Sequence, residues 1–398
     1  MIPEIRQRYN QTFSTGKYQC FIDDLNGAFG HTIPFRVAET PVFIPTDFKT
    51  ELVRAADEIV DFLVRPGFRQ RTEAAIPAGL RVPNEDSHPL FLALDFAVCA
   101  HPNGSLIPQL IELQGFPSLY GFEDWLAHKY RKHFYVPENV THLFGGHDSE
   151  TYRKRLQAAL LNGHAPENVV LLEIEPLKQN TAIDFFVTQQ YSGIKPLCIS
   201  KVIREGRQLF YENDGVKTPI RRIYNRVIFD ELLRRDDLKR DFNLTEDVDV
   251  EWAGHPNWFF RVSKYTMPML QSRYVPECRF LSDFTVFPED LENYVLKPLF
   301  SFSGQGIRYN VAKTDLDSIP AAERALYLLQ RKVIYEPVLQ APDGQVKVEI
   351  RLMFLWEKDL PRPELLLNLV RLSRGEMIGV KYNRNQTWVG GTVGFFET

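Results

Sequence analysis

The chain has 398 residues, 44% of them hydrophobic and 25% charged, which gives room for two or three cooperating units around a large core. Its 47 basic and 51 acidic residues leave a net charge of −4, so nothing in the balance attracts nucleic acid or an anionic membrane. The 29 Phe and 16 Tyr exclude a disordered chain, because such side chains must be buried or bind something.

The start, Met1-Ile2-Pro3-Glu4-Ile5-Arg6-Gln7, has no apolar signal-peptide core. Cys20, Cys99, Cys198 and Cys278 stand too far apart for a disulfide framework, and a cytoplasmic chain with reduced thiols is expected. The longest apolar stretch, Leu90 to Ala100, is interrupted by Asp95 and is too short to cross a bilayer. H-E-x-x-H, G-x-S-x-G and G-x-x-x-x-G-K-[ST] are all absent, which removes zincins, α/β-hydrolases and P-loop enzymes.

Residues 1–45 are polar and proline-bearing, and an arm of short extended pieces is expected there. From Thr46 the spacing becomes helical: Leu52, Val53, Ala56, Ile59, Val60 and Leu63 share a face. Residues 90–114 predict a hairpin turning at Asn103-Gly104. A turn centred there sets Asp95 opposite Glu112, and the period of two puts Gln114 on the face of Glu112. Two carboxylates opposed on apolar strands at about 4 Å repel by roughly 4 kcal/mol at an effective dielectric near 20. A divalent cation would relieve this, Mg²⁺ being suited to carboxylate oxygens, as would Lys or Arg partners or solvent. Helices follow over 122–134 and 149–162, the second closing at Asn162-Gly163.

Val169 to Ile174 predicts a buried strand, with helix-compatible sequence to Tyr191 and short strands at 196–202, 208–212 and 220–224. That order implies a small α/β domain over 165–250. Residues 251–398 predict strands near 294–299, 332–338, 347–356 and 364–372 and a helix over 317–331, an α+β arrangement on an antiparallel sheet.

Lys297 ends the strand Tyr294 to Leu299, which runs into Ser301-Phe302-Ser303-Gly304-Gln305-Gly306. Small residues let backbone N–H groups approach phosphate oxygens, and a strand lysine adds a point charge, although the same residues also suit an ordinary hairpin. After it come Glu336 in a Val333–Leu339 strand, Arg371 in the run from Asn368 to Arg374, and the Gly390-Gly391 pair.

This succession resembles the nucleotide-binding half of the ATP-grasp ligases. With the carboxylate hairpin placed first, the chain resembles the circularly permuted branch, eukaryotic-type glutathione synthetase and glutathionylspermidine synthase. The resemblance is loose over 90–245 and closer from 255 to the end. Val295-Leu296-Lys297-Pro298 looks like that family's V-L-K-P, Glu112-Leu113-Gln114 stands where it has E-x-N, and Ile223-Tyr224-Asn225-Arg226 looks like its Y-x-R. It implies a permuted ATP-grasp fold with an inserted Rossmann-like substrate domain: 1–164 with the metal hairpin, 165–250 as the insert, and 251–398 for ATP.

By the same resemblance Lys264, Lys297, Ser303, Gly304, Gln305, Gly306, Glu336, Gly390 and Gly391 bind ATP. Asp95, Glu112 and Gln114 hold Mg²⁺, Arg226 and Ser118 meet substrate, and Lys297 and Arg371 serve the transfer. The implied activity is ADP-forming ligation of a small carboxylate to an amine through an acyl phosphate, with no nucleic-acid or membrane partner. Three departures stand out: Ala93 replaces an arginine, Ser301 replaces an acidic metal ligand and Gln114 replaces asparagine. They motivate an alternative, a scaffold that binds nucleotide without turnover, and beside it an ATP-grasp kinase.

Overall fold

The computed structural model describes residues 1–300, 306–376, 378, 383 and 385–398. At its centre is an antiparallel sheet whose neighbouring strands are Gly390–Thr392, Glu364–Ser373, Gly344–Leu355, Phe91–Ala100 and Leu106–Gln114, with Leu339–Ala341 pairing beside them. The hairpin from the first third of the chain is thereby built into one sheet with strands from the last sixth. Alternation sorts the two faces. Leu92, Leu94, Phe96 and Val98 join Val348, Ile350, Leu352 and Phe354 in the largest core, under Leu52, Ala56, Ile59 and Val60 of the helix Thr46–Leu63. The opposite face is apolar at one end, with Phe91, Met353, Leu367 and Leu369, and charged at the other.

A second sheet is fully parallel, in the order Glu251–Ala253, Arg222–Asn225, Val169–Glu173, Lys195–Cys198. Val169–Glu173 is buried along its length, as its unbroken apolar run requires in a sheet covered on both faces. A meander of Ile203–Glu205, Gln208–Asn213 and Val216–Ile220 lies beside it. Asp214 and Gly215, both at positive φ, turn its second hairpin. A third sheet joins Cys278–Phe280, Tyr327–Arg331 and Tyr294–Pro298. The last strand, Gly394–Glu397, pairs with Val42–Ile44 and Val140–Thr141.

The structure corrects three expectations. Residues 3–12 and 15–27 are helices, the first begun by Pro3 with Glu4 in its first turn and the second capped by Ser14. Tyr327–Arg331, expected within a helix, is a strand, because pairing to Tyr294–Pro298 outweighs local helix propensity. Residues 332–338 pair as no strand; there Glu336 donates a single backbone N–H bond to Val98 O at 2.9 Å. Among the described residues no helix is long and apolar enough to cross a membrane.

Candidate active site

The charged end of the central sheet is assembled by register. Glu349 lies opposite Arg371 on one side and Ala97 on the other, and Arg351 lies opposite Asp95. Asp95 lies opposite Glu112, and Ala93 opposite Gln114. The route to this pairing differs from the one expected from the turn. Beside the turn Ala100 faces Leu106, one residue out of step, and a bulge between Asp95 and Phe96 restores the alignment. Ile111 is the extra residue of that bulge, and its carbonyl accepts a hydrogen bond from Lys297 Nζ at 3.1 Å.

Asp95 is 1% exposed and fully engaged. Arg351 donates to it in bidentate fashion, Nε to Oδ1 at 2.6 Å and a terminal nitrogen to Oδ2 at 2.7 Å. Arg371 donates to the same Oδ2 and also reaches Glu349 Oε1 at 2.5 Å. The Tyr335 hydroxyl closes the chain by donating to Glu349 Oε2. Burial opposes the ionisation of Asp95, but Arg351 and Arg371 outweigh it and hold the carboxyl below its usual range. Glu349 goes the other way: burial raises it, and Arg371 only partly offsets this.

The charge compensation considered for a cation at this hairpin is therefore supplied to Asp95 by two guanidinium groups, one of which also lies 3.8 Å from Glu112. Among the described residues no group of three or more His, Cys, Asp or Glu is arranged to hold a metal. Glu112 keeps 24% of its side chain exposed and accepts from Gln114 Nε2 at 2.6 Å, so the Gln114 amide turns its nitrogen toward the carboxylate.

Lys264 and Lys297 are both buried, and burial lowers both ammonium groups. The charge of Glu112 acts on each in the opposite sense. The two lysines come from different elements, Lys264 from the short 3₁₀ helix Lys264–Met269 and Lys297 from the strand Tyr294–Pro298.

The remaining expected residues are spread around this centre. Glu336 is exposed on its irregular segment. Gly306 has φ +73° and lies against the Pro298 ring. Ser301, Ser303, Gly304 and Gln305 fall outside the described residues. Gly390 and Gly391 form an edge strand beside Arg371, with the Gly391 N–H bonded to Arg36 O at 2.9 Å. Arg226 pairs with Asp184 at 2.9 Å and lies beneath the rings of Phe116 and Phe185. Ser118 is half-buried in the turn leading into the helix Tyr120–His133, whose first N–H groups at Gly121 and Phe122 are bound by Asp184 Oδ1.

Sequence reasoning passed over Tyr335, Glu349 and Arg351. The signal was present, since V-E-I-R-L sets two opposite charges on one face of an otherwise apolar strand.

No protein-family model matches the sequence, and no curated protein matches it. Among solved structures it is similar to a glutathione synthetase-like effector from Globodera pallida in its apo form, with TM-score 0.60 and 12% identity over 100% of this chain and 99% of that one. At this identity the likeness is one of fold, a glutathione synthetase-like mixed α/β scaffold.

Proposed function

We propose that the chain is an ATP-dependent carboxylate–amine ligase on a circularly permuted ATP-grasp fold. The observation that carries this reading is the convergence of two buried lysines, Lys264 and Lys297, from different elements on the carboxylate of Glu112, with Asp230 acting on the first and Glu349 on the second. Two lysine side chains brought together beside one sheet end suit a polyanion, and a triphosphate is one. Lys297 also comes four residues before the run Ser301 to Gly306 in sequence, whose small residues suit phosphate oxygens.

In this scheme a substrate carboxylate oxygen attacks the γ-phosphorus of ATP, and ADP leaves with the electron pair of the broken P–O bond. The amine nitrogen then attacks the acyl phosphate carbon, losing a proton as phosphate departs. Lys264 and Lys297 offset the phosphate charge, and the half-exposed guanidinium of Arg371 faces the transfer. The part-exposed Glu112 carboxylate fits Mg²⁺, which takes one or two protein oxygens with substrate phosphates; Asp95 does not fit, its oxygens being committed to arginine, and Gln114 turns its amide nitrogen toward Glu112. Mg²⁺, when bound, would neutralise phosphate charge and orient the γ-phosphoryl group.

A second reading, nucleotide binding without turnover, is favoured by the commitment of Arg371 to Asp95 and Glu349. Two measurements decide. Lys297→Met should abolish protection by Mg-ATP in thermal unfolding, and undiminished protection would sink the nucleotide site. An ADP-release screen against pooled amino acids, amines and small peptides then separates the activities. Amine-dependent ADP and phosphate marks a ligase, ADP with a phosphorylated acceptor a kinase, and binding without ADP a scaffold.

A further inference from the structure

The sequence holds three Asn-Gly pairs, Asn26-Gly27, Asn103-Gly104 and Asn162-Gly163. With no Cβ beside it, a glycine nitrogen is open to attack the amide carbon of the preceding side chain. The fold treats the three pairs differently. Asn26 lies in the helix Thr15–Gly27, and its Oδ1 accepts from the Ile33 N–H at 2.9 Å. Asn162 closes the helix Ser149–Leu161 at φ +46°, with its side-chain nitrogen donating to Glu251 Oε2 at 2.7 Å. Asn103 stands exposed at the tip of the hairpin, and its side-chain nitrogen has no hydrogen-bond partner among the described residues.

The turn also prepares the side-chain carbonyl. Asn103 Oδ1 accepts from the Ser105 N–H at 3.0 Å and from the Ser105 hydroxyl at 2.7 Å. Both donors sit on the oxygen where negative charge develops when a nucleophile adds to the amide carbon. Gly104 has φ +86°, and a Cβ there would meet nothing within 4 Å, so no neighbouring chain crowds the residue. Its N–H is bonded to His101 O at 2.8 Å, inside the turn itself. Opening that one bond at an exposed hairpin tip costs little beside opening a helix.

We infer that Asn103 is a modification site at which the side-chain amide is converted to aspartate and isoaspartate. The Gly104 nitrogen gives its proton to solvent and bonds to Asn103 Cγ, ammonia leaves from that carbon, and a five-membered succinimide remains. Water then adds to one of the two ring carbonyls and breaks its bond to the Gly104 nitrogen, which takes back a proton. Opening at the side-chain carbonyl gives aspartate, and opening at the backbone carbonyl gives isoaspartate, with the chain rerouted through Cβ. Water is the only co-reactant, and nothing is oxidised or reduced. Either product sets a new carboxylate on the turn joining the strands that carry Asp95 and Glu112. The site goes beyond the proposed ligase reaction and does not depend on it.

Incubation of the full chain at 37 °C and pH 8, followed by peptide mapping at residues 26, 103 and 162 by mass spectrometry, tests the assignment. Conversion at Asn103 should outrun conversion at Asn26 and Asn162 by at least about tenfold, because those two must first break out of a helix. Isoaspartate at 103 should also accept a methyl group from S-adenosylmethionine and an isoaspartate-specific methyltransferase. Ser105→Ala, at an exposed position, should slow the conversion about fivefold by removing one donor to the developing oxyanion. The assignment is overturned if residue 103 converts no faster than residues 26 and 162. It is equally overturned if Ser105→Ala leaves the rate at 103 unchanged.

Discussion

Burying one carboxylate costs several kcal/mol unless its partners are well placed, and at Asp95 they are. Replacing Asp95 by Asn leaves Arg351 a buried charge short of a counterion and Arg371 with Glu349 alone, and should cost about 3–5 kcal/mol in urea unfolding. Asp95→Leu joined with Arg351→Met should cost less than the sum of the two single changes, since each single change strands a charge. A loss under about 1 kcal/mol for Asn would mean that the network contributes little.

Glu173 responds to pH in the opposite sense. Burial pushes its carboxyl up to about 8, against the hydrogen bond it accepts from the Ile174 N–H and the nearby charge of Arg226. An unfolded glutamate titrates near 4.3, so between about 4.3 and 8 the native state holds a proton that the unfolded chain has released. Stability therefore falls as pH rises through that window, by on the order of 3–5 kcal/mol from this group. Glu173→Gln should remove that slope, which urea unfolding at pH 5 and pH 8 will read; an unchanged slope would place the titration elsewhere.

At the scale of single elements, Gly390–Thr392 holds a glycine pair of which one member alone is constrained by its surroundings. Gly390 has φ +126°, and a Cβ there would lie 2.4 Å from the Arg36 carbonyl oxygen. Gly391 has ordinary φ and its nearest neighbour would be at 3.9 Å. Gly390→Ala should therefore destabilise by about 2–4 kcal/mol and Gly391→Ala by under 1, compared by thermal unfolding. Equal losses would locate the constraint outside this backbone crossing. The need for glycine at 390 arises from a chain segment some 350 residues away, which no local pattern contains. The same holds for Tyr327–Arg331, which becomes a strand through its partner at Tyr294–Pro298.

For the molecule as a whole, periodicity carried furthest. The helix Thr46–Leu63 and the late strands around Glu349 and Arg371 were legible because a buried face imposes a strict repeat, whereas Asp95 comes opposite Glu112 through the bulge at Ile111, which no repeat contains. The meeting of Lys297 with the hairpin was expected from resemblance alone, and the hydrogen bond to Ile111 O now gives it a contact. What stayed hidden was the choice of charge partner. Asp95 could have met solvent, a cation or arginine, and its sequence neighbours do not distinguish these.

That choice sets an order of events during synthesis. The partners of Asp95 lie 256 and 276 residues downstream, and at about 5–20 residues per second they leave the ribosome roughly 13–55 s after it does. Until then the strand Phe91–Ala100 has neither its Arg351 neighbour nor the counterions that make its acid tolerable in a core. The nascent hairpin must wait with one edge open and an aspartate in water, so the central sheet closes only once Arg351 and Arg371 have been made. The ionised acid doubles as a solubilising group in the interval, keeping an exposed and otherwise apolar strand from pairing with the wrong edge.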